Sequence, residues 1–253
     1  MKLTEYRIKN KNFKKSYTFA LISDLHGSPA GDAMEILSRV YPDVILASGD
    51  IFERLDGTRD PENEAGFELL AAAAKIAPTF YSFGNHELGG NRSWMPKKQT
   101  EKKEFVISEN NAERLKNTGV TLLDDSYVTF DGLAIGGLRS GAINEGRVPD
   151  TAWLDGFCAL SDPKILISHH PEYFKKYLKN KDIDLIVSGH AHGGQWRFFG
   201  QGVFAPGQGI FPRYTSGVYE NRLVVSRGMK EARKIPRIFN PTEVVVVKIN
   251  CDK

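Results

Sequence analysis

Cysteine is scarce in this 253-residue chain: only Cys158 and Cys251 occur, and no CxxC pair. That argues against a disulfide framework and against a thiolate zinc site, and fits a reducing compartment with two structural thiols. Long apolar runs are missing too. Nothing approaches the ~18–20 residues of a spanning helix. The first residues, MKLTEYRIKNKNFKKSYTF, lack the apolar centre of a signal peptide. The expected location is cytoplasmic. Charge of one sign is not in excess: 34 Lys and Arg face 31 Asp and Glu, a net +3, too little to argue for a specific nucleic-acid partner. There is no internal repeat, low-complexity tract or linker, so a single domain over residues 1–253 is expected. With 41% hydrophobic residues, a sizeable core is within reach.

What the chain does have is an alternation of short apolar runs and helical patterns. Strands are expected at Tyr17–Ser23, Asp43–Ser48, Thr79–Phe83, Lys164–Ser168, Asp184–Ser188, Arg222–Ser226 and Glu243–Ile249. The first five are near-continuous apolar runs, suited to strands buried on both faces. Helices are expected at Gly31–Val40, Glu62–Ile76, Glu101–Lys116 and from Pro171 onward. Closely spaced strands with a turn at Asp131-Gly132 are expected between Val120 and Leu138. The stretch Gly193–Tyr219 reads as a long ordered loop, with one short strand at Trp196–Phe198. This is an α/β layered fold with mixed sheets.

All six histidines lie just beyond apolar strand candidates, in SDLHG (23–27), GNHE (84–87), SHHP (168–171) and GHAH (189–192). A fifth segment, SGDIFER (48–54), shares that context and carries acids. In open α/β sheets, ligands collect beyond the carboxyl ends of strands. Continued strand alternation would put Asp24 and His26 on one face, and likewise His190 and His192. Imidazole and carboxylate together suit Mn, Fe, Zn, Co or Ni. Seven candidate ligands (Asp24, His26, Asp50, Asn85, His169, His190 and His192) exceed what one ion needs and point to two. Two divalent ions outweigh Asp24, Asp50 and one bridging hydroxide by about one positive charge, which suits a phosphate ester.

The ordered set Asp24-Leu25-His26, Gly49-Asp50, Gly84-Asn85-His86-Glu87, His169 and Gly189-His190-Ala191-His192 resembles the calcineurin-like metallophosphoesterase superfamily. The resemblance covers residues 17–249. It implies a sandwich of two mixed β-sheets flanked by helices. It implies one divalent ion on Asp24, His26, Asp50 and His192. Asp50 would bridge to a second ion on Asn85, His169 and His190, with manganese the expected ion in vitro. The family's H-x-P spacing selects His169, leaving His170 behind the ligands or facing solvent. A metal-bridging hydroxide would attack phosphorus in line, without a covalent enzyme intermediate. His86 would protonate the leaving oxygen, Glu53 would orient His86, and Arg54 would contact phosphate. The longer string GHAHGGQW with FAPGQGIFPRYTSGVY and VSRGM is similar to a bacterial phosphohydrolase branch that includes UDP-diacylglucosamine pyrophosphatases. A phosphodiesterase or pyrophosphatase is therefore expected. A phosphomonoesterase or protein phosphatase is the alternative, and a nuclease or non-catalytic scaffold stands further off.

Three segments are locally basic: residues 1–15, 92–105 and 229–239. The bland reading is solvated faces. The functional one is peripheral docking on an anionic membrane, with Trp94 and Met95 also capping a nucleotide- or lipid-linked substrate.

Overall fold

A computed structural model describes residues 1–88, 107–140, 148–230 and 236–251. The strands and helices, in chain order, are β1 (Lys2–Lys9), β2 (Tyr17–Ile22), α1 (Ala33–Val40), β3 (Val44–Ala47), α2 (Glu64–Ile76), β4 (Thr79–Tyr81), α3 (Glu109–Asn117), β5 (Thr121–Leu122), β6 (Ser126–Phe130), β7 (Leu133–Leu138), α4 (Leu154–Cys158), β8 (Lys164–Ser168) and β9 (Leu185–Ser188). Short strands follow: β10 (Arg197–Phe198), β11 (Gln201–Gly202), β12 (Phe204–Ala205), β13 (Gly209–Ile210), β14 (Gly217–Tyr219) and β15 (Leu223–Val225). The last strand is β16 (Glu243–Asn250).

Twelve of the strands form two six-stranded mixed sheets, ordered β1-β16-β2-β3-β4-β5 and β14-β15-β9-β8-β7-β6, and β10-β11 and β12-β13 form two small ribbons. Alternation within each apolar run explains the layering. In β2, Phe19 and Leu21 enter the core between the sheets, while Ala20 and Ile22 face α1 and α2. In β8, Ile165 and Ile167 face the first sheet, while Leu166 packs with Phe157 and Phe174 on the outer face. Each central strand thus buries both faces, which is why its sequence reads as a continuous apolar run.

The hairpin β6–β7 turns at Asp131 (φ 50°) and Gly132 (φ 75°), the pair of left-handed residues that a two-residue hairpin turn requires. Helix α3 starts at Glu109, later than expected, because Ser108 caps it by accepting from the Asn111 amide at 3.3 Å. Residues 101–106 of that expected helix lie outside the described residues. The helix expected from Pro171 is only a single π-type turn, Phe174–Leu178. β1 was not foreseen. It pairs in parallel with β16 from Lys2↔Glu243 to Lys9↔Asn250. Its lysines and arginine protect a sheet edge, and that polarity hides the strand from a hydrophobicity pattern. No helix among the described residues is long and apolar enough to cross a membrane.

Candidate metal centre

Chain segments after β2, β3, β4, β8 and β9 converge where the two sheets present their carboxyl ends. The convergence does not come from strand alternation, as expected from the sequence. β2 ends at Ile22 and β9 at Ser188, so both motifs lie beyond their strands. Asp24, His26, Asp50, His190 and His192 all sit at left-handed φ, between 46° and 65°. Such conformations are uncommon for non-glycine residues and cluster at functional sites. The surroundings hold them there. The amides of Asp24, His26 and Gly27 donate to the carbonyls of Gly49, Asp50 and Ile51, and the His190 amide donates to both Asp24 carboxylate oxygens. Two glycines permit the close approach. A Cβ on Gly84 would lie 2.2 Å from Asp50 Oδ1, and one on Gly189 would lie 2.4 Å from Asp24 Oδ2.

Four groups of metal-ligand type result among the described residues, and two of them are built wholly from the expected ligands. Asp24, His26 and His192 bring one ligand atom each within 4.8 Å of one another, and so do Asp50, His169 and His190. His26 Nε2 and His192 Nε2 are 3.2 Å apart. Asp50 stands between the groups, its Oδ2 being 3.1 Å from His169 Nε2 and 3.8 Å from His26 Nε2. His169 Nδ1 lies 2.6 Å from the Ser48 carbonyl, so Nδ1–H donates there and Nε2 faces Asp50. Asn85 Oδ1 and His190 Nε2 are buried with no hydrogen-bond partner. Buried polar atoms left in this state fit coordination to a cation.

The electrostatics agree. Burial, then His26, holds His192 well below the usual imidazole range; burial, then His170, does the same to His190. Both rings are neutral, the form that binds metal. Burial raises Asp24, assisted by the Asp50 charge. Burial also penalises the Asp50 charge, but His169 and then His86 outweigh it and hold the carboxyl well below its ordinary value. Against its own burial, His169 is raised by Asp50 to about 10. Two buried carboxylates therefore demand positive charge at this spot, from a proton or from metal.

His86 Nδ1 lies 2.9 Å from Glu53 Oε2, and His86 Nε2 lies 3.9 Å from Asp50 Oδ2. Burial disfavours charge on His86, yet Asp50 and then Glu53 overcome it and raise the ring. Glu53, penalised by burial, is held well below the carboxylate range by His26 and His86. Arg54 pairs with Asp56 through Nε–Oδ2 at 2.9 Å. The cation placed on Glu53 is Lys230, 3.1 Å from Oε1. His170 does not face solvent. It is fully buried, its ring 4.1 Å from that of His190, with Glu172 at 3.5 Å.

Three residues of this region were missed. Glu87 is fully buried and accepts five hydrogen bonds, from the amides of Asp50, Ile51, Phe52 and Gly84 and from the Tyr81 hydroxyl. Burial and then Asp50 push it up to about 7. Its signal was the acid closing GNHE. Arg237 lies 3.3 Å from His192 Nδ1, and Lys230 reaches Glu53. Their segment was read only as a basic surface. A cavity of about 430 Å³ beside the centre is lined by His26 and Lys230, with Glu53, Glu62, Glu64 and Glu68. The Trp94 and Met95 cap lies outside the described residues.

The model of the calcineurin-like phosphoesterase family matches residues 17–194, more than two thirds of the chain. The chain belongs to this family. Similar known members include an uncharacterized metallophosphoesterase of Aquifex aeolicus, 28% identical across 98% of this chain and 92% of its own length. Phosphodiesterase YaeI of Escherichia coli is 26% identical across 84% of this chain and 75% of its own. A Caenorhabditis elegans relative bearing the metallophosphoesterase name is 26% identical across 91% of this chain, which spans only 48% of that protein. Family membership and the two ligand clusters are consistent with a metal-dependent phosphoesterase that could hold two divalent ions.

Proposed function

We propose that the protein hydrolyses a phosphodiester or pyrophosphate bond. The observation that carries this reading is the placement of Asp50 between the two clusters, with the His86–Glu53 pair beside it. Asp24, His26, Asp50 and His192 would hold one divalent ion; Asp50, Asn85, His169 and His190 would hold the other. Imidazole with carboxylate suits manganese, iron, zinc, cobalt or nickel. Such a pair supplies, when bound, Lewis acidity toward phosphoryl oxygens and an acidified attacking water. His86, its pKa raised by Asp50 and Glu53 against burial, would deliver its Nε2 proton to the leaving oxygen. Lys230 holds Glu53 in place from the other side.

The cavity supports a diester over a monoester. Four glutamates and one lysine line it with His26, so it repels a monoester dianion more than a diester monoanion. The name of the Escherichia coli relative points the same way. Metal-stripped protein refilled with Mn²⁺ is expected to cleave an aryl phosphodiester faster than its monoester. The reverse preference overturns the diester assignment in favour of a phosphatase. A nucleotide-linked lipid pyrophosphate is the natural substrate class to assay next.

The proton role makes its own prediction. His86→Ala keeps its metal, measured by elemental analysis, and loses about 10²–10⁴ in rate on esters with poor leaving groups. Glu53→Gln removes a group that raises His86. The His86 pKa then falls, and the alkaline limb of kcat/KM moves to lower pH. An unmoved limb rules out the Glu53–His86 coupling.

A further inference from the structure

The segment after the metal centre exposes large apolar side chains in an unusual way. Phe198, Phe199, Phe204, Ile210, Phe211 and Phe239 are all exposed, with Phe199 at 110%, Ile210 at 72%, Phe211 at 70% and Phe239 at 77%. Three of them also occupy left-handed backbone: Phe199 (φ 49°), Phe211 (φ 51°) and Phe239 (φ 52°). For a bulky residue this conformation is a genuine outlier. Phe199 and Gly200 are the two central residues of the β10–β11 hairpin, a turn whose first position ordinarily carries Asn or Asp. Folding gains nothing from a phenylalanine there, because the ring is not buried. An external contact explains what internal packing does not.

The charge around these tips is one-sided. Residues 193–219 and 236–242 contain no aspartate or glutamate. The Arg197 guanidinium donates to the Gly193 and Gly200 carbonyls and the Thr215 hydroxyl, with no ion pair among the described residues, and it lines a depression of about 370 Å³ with Phe198, Phe199 and Phe239. Arg213 is exposed and has no carboxylate partner among the described residues. Phe198 and Phe239 meet edge to face, ring centroids 6.0 Å apart, and Phe199 joins them around that depression. Exposed aromatics among cations, with no acid in these stretches, fit an anionic, amphipathic surface.

We propose that the exposed aromatics Phe199, Phe211 and Phe239, flanked by Arg197 and Arg213, dock the protein peripherally on an anionic lipid bilayer. The surface differs from the basic segments that the sequence suggested; only Phe239 belongs to one of them. One contact ties it to the metal centre: Arg237 reaches His192, and the segment it belongs to bridges to Trp196 through Ile238.

The test is flotation of the full chain with phosphatidylcholine vesicles, with and without phosphatidylglycerol. It reads partitioning rather than turnover, so its outcome is separate from that of the phosphoesterase reading. The wild type is expected to float with the anionic vesicles, less so at high salt. The triple variant Phe199→Asn, Phe211→Asn, Phe239→Asn is expected to lose at least about tenfold in bound fraction. Its melting temperature should hold or rise, because Asn tolerates the left-handed region. Absence of wild-type flotation, or equal flotation of the variant, overturns the proposal. So does a wild-type dimer by light scattering that the variant lacks, without vesicle binding, since the tips then join two copies of the chain.

Discussion

Asp50→Asn is expected to lower turnover by about three orders of magnitude or more and to strip metal from the protein. Asp50 is the acid proposed to serve both ions. Its Oδ2 faces His169 and His26, and its Oδ1 accepts from the His86 amide at 2.8 Å. Asparagine keeps that last hydrogen bond and the side-chain volume, so the fold should survive. What it removes is a buried negative charge. Two ions sharing one site repel each other, and the bridging carboxylate offsets that repulsion. Losing several kcal/mol of charge stabilisation, at about 1.4 kcal/mol per tenfold, gives the expected rate loss. Elemental analysis after Mn²⁺ loading and gel filtration should show less metal than wild type. Full metal content in a folded Asp50→Asn protein would exclude the bridging role.

The largest stability effect is expected at Glu87. Four backbone amides and the Tyr81 hydroxyl all end on this one carboxylate, in a fully buried place. Glu87→Ala strands all five donors. Each stranded buried donor costs about 1–3 kcal/mol, so the sum approaches the roughly 5–15 kcal/mol that holds a domain folded. The alanine variant should be insoluble or unfolded. Glu87→Gln keeps an acceptor at one oxygen position and turns an amide N–H₂ toward the donors at the other. It should fold and melt well below the wild type. Thermal unfolding of metal-free protein checks both, which separates this role from metal binding. A Glu87→Ala protein melting within a few degrees of wild type would show that the carboxylate organises nothing. Because the Asp50 amide is one of the donors, the loop that carries the bridging acid depends on Glu87.

Much of the fold was legible because its cause is local. An apolar run such as YTFALI or KILIS can bury both faces of a strand whatever surrounds it, and the Asp-Gly turn specifies its hairpin within two residues. β1 was not legible, since a charged edge strand is defined by its neighbour β16 rather than by its own periodicity. The same division runs through the site. The ligand types lie in five short motifs, each at the end of a predicted strand, and the structure brings those motifs together. The geometry that unites them is left-handed backbone, which spacing along an extended strand cannot anticipate.

The sequence by itself determined the ligand chemistry and the α/β layered class: which residues offer nitrogen and oxygen ligands, and which strands deliver them. Only the tertiary structure decided that Asp50 stands between the clusters, that Glu87 secures the loop beneath it, that Arg54 pairs with Asp56, and that Lys230 contacts Glu53. It alone brought Arg237 to His192 and left three phenylalanines exposed in left-handed backbone. The reason is physical. Propensity and periodicity act over a few residues, whereas a charge, an orphaned donor or an exposed ring takes its meaning from atoms that folding brings near it from distant parts of the chain.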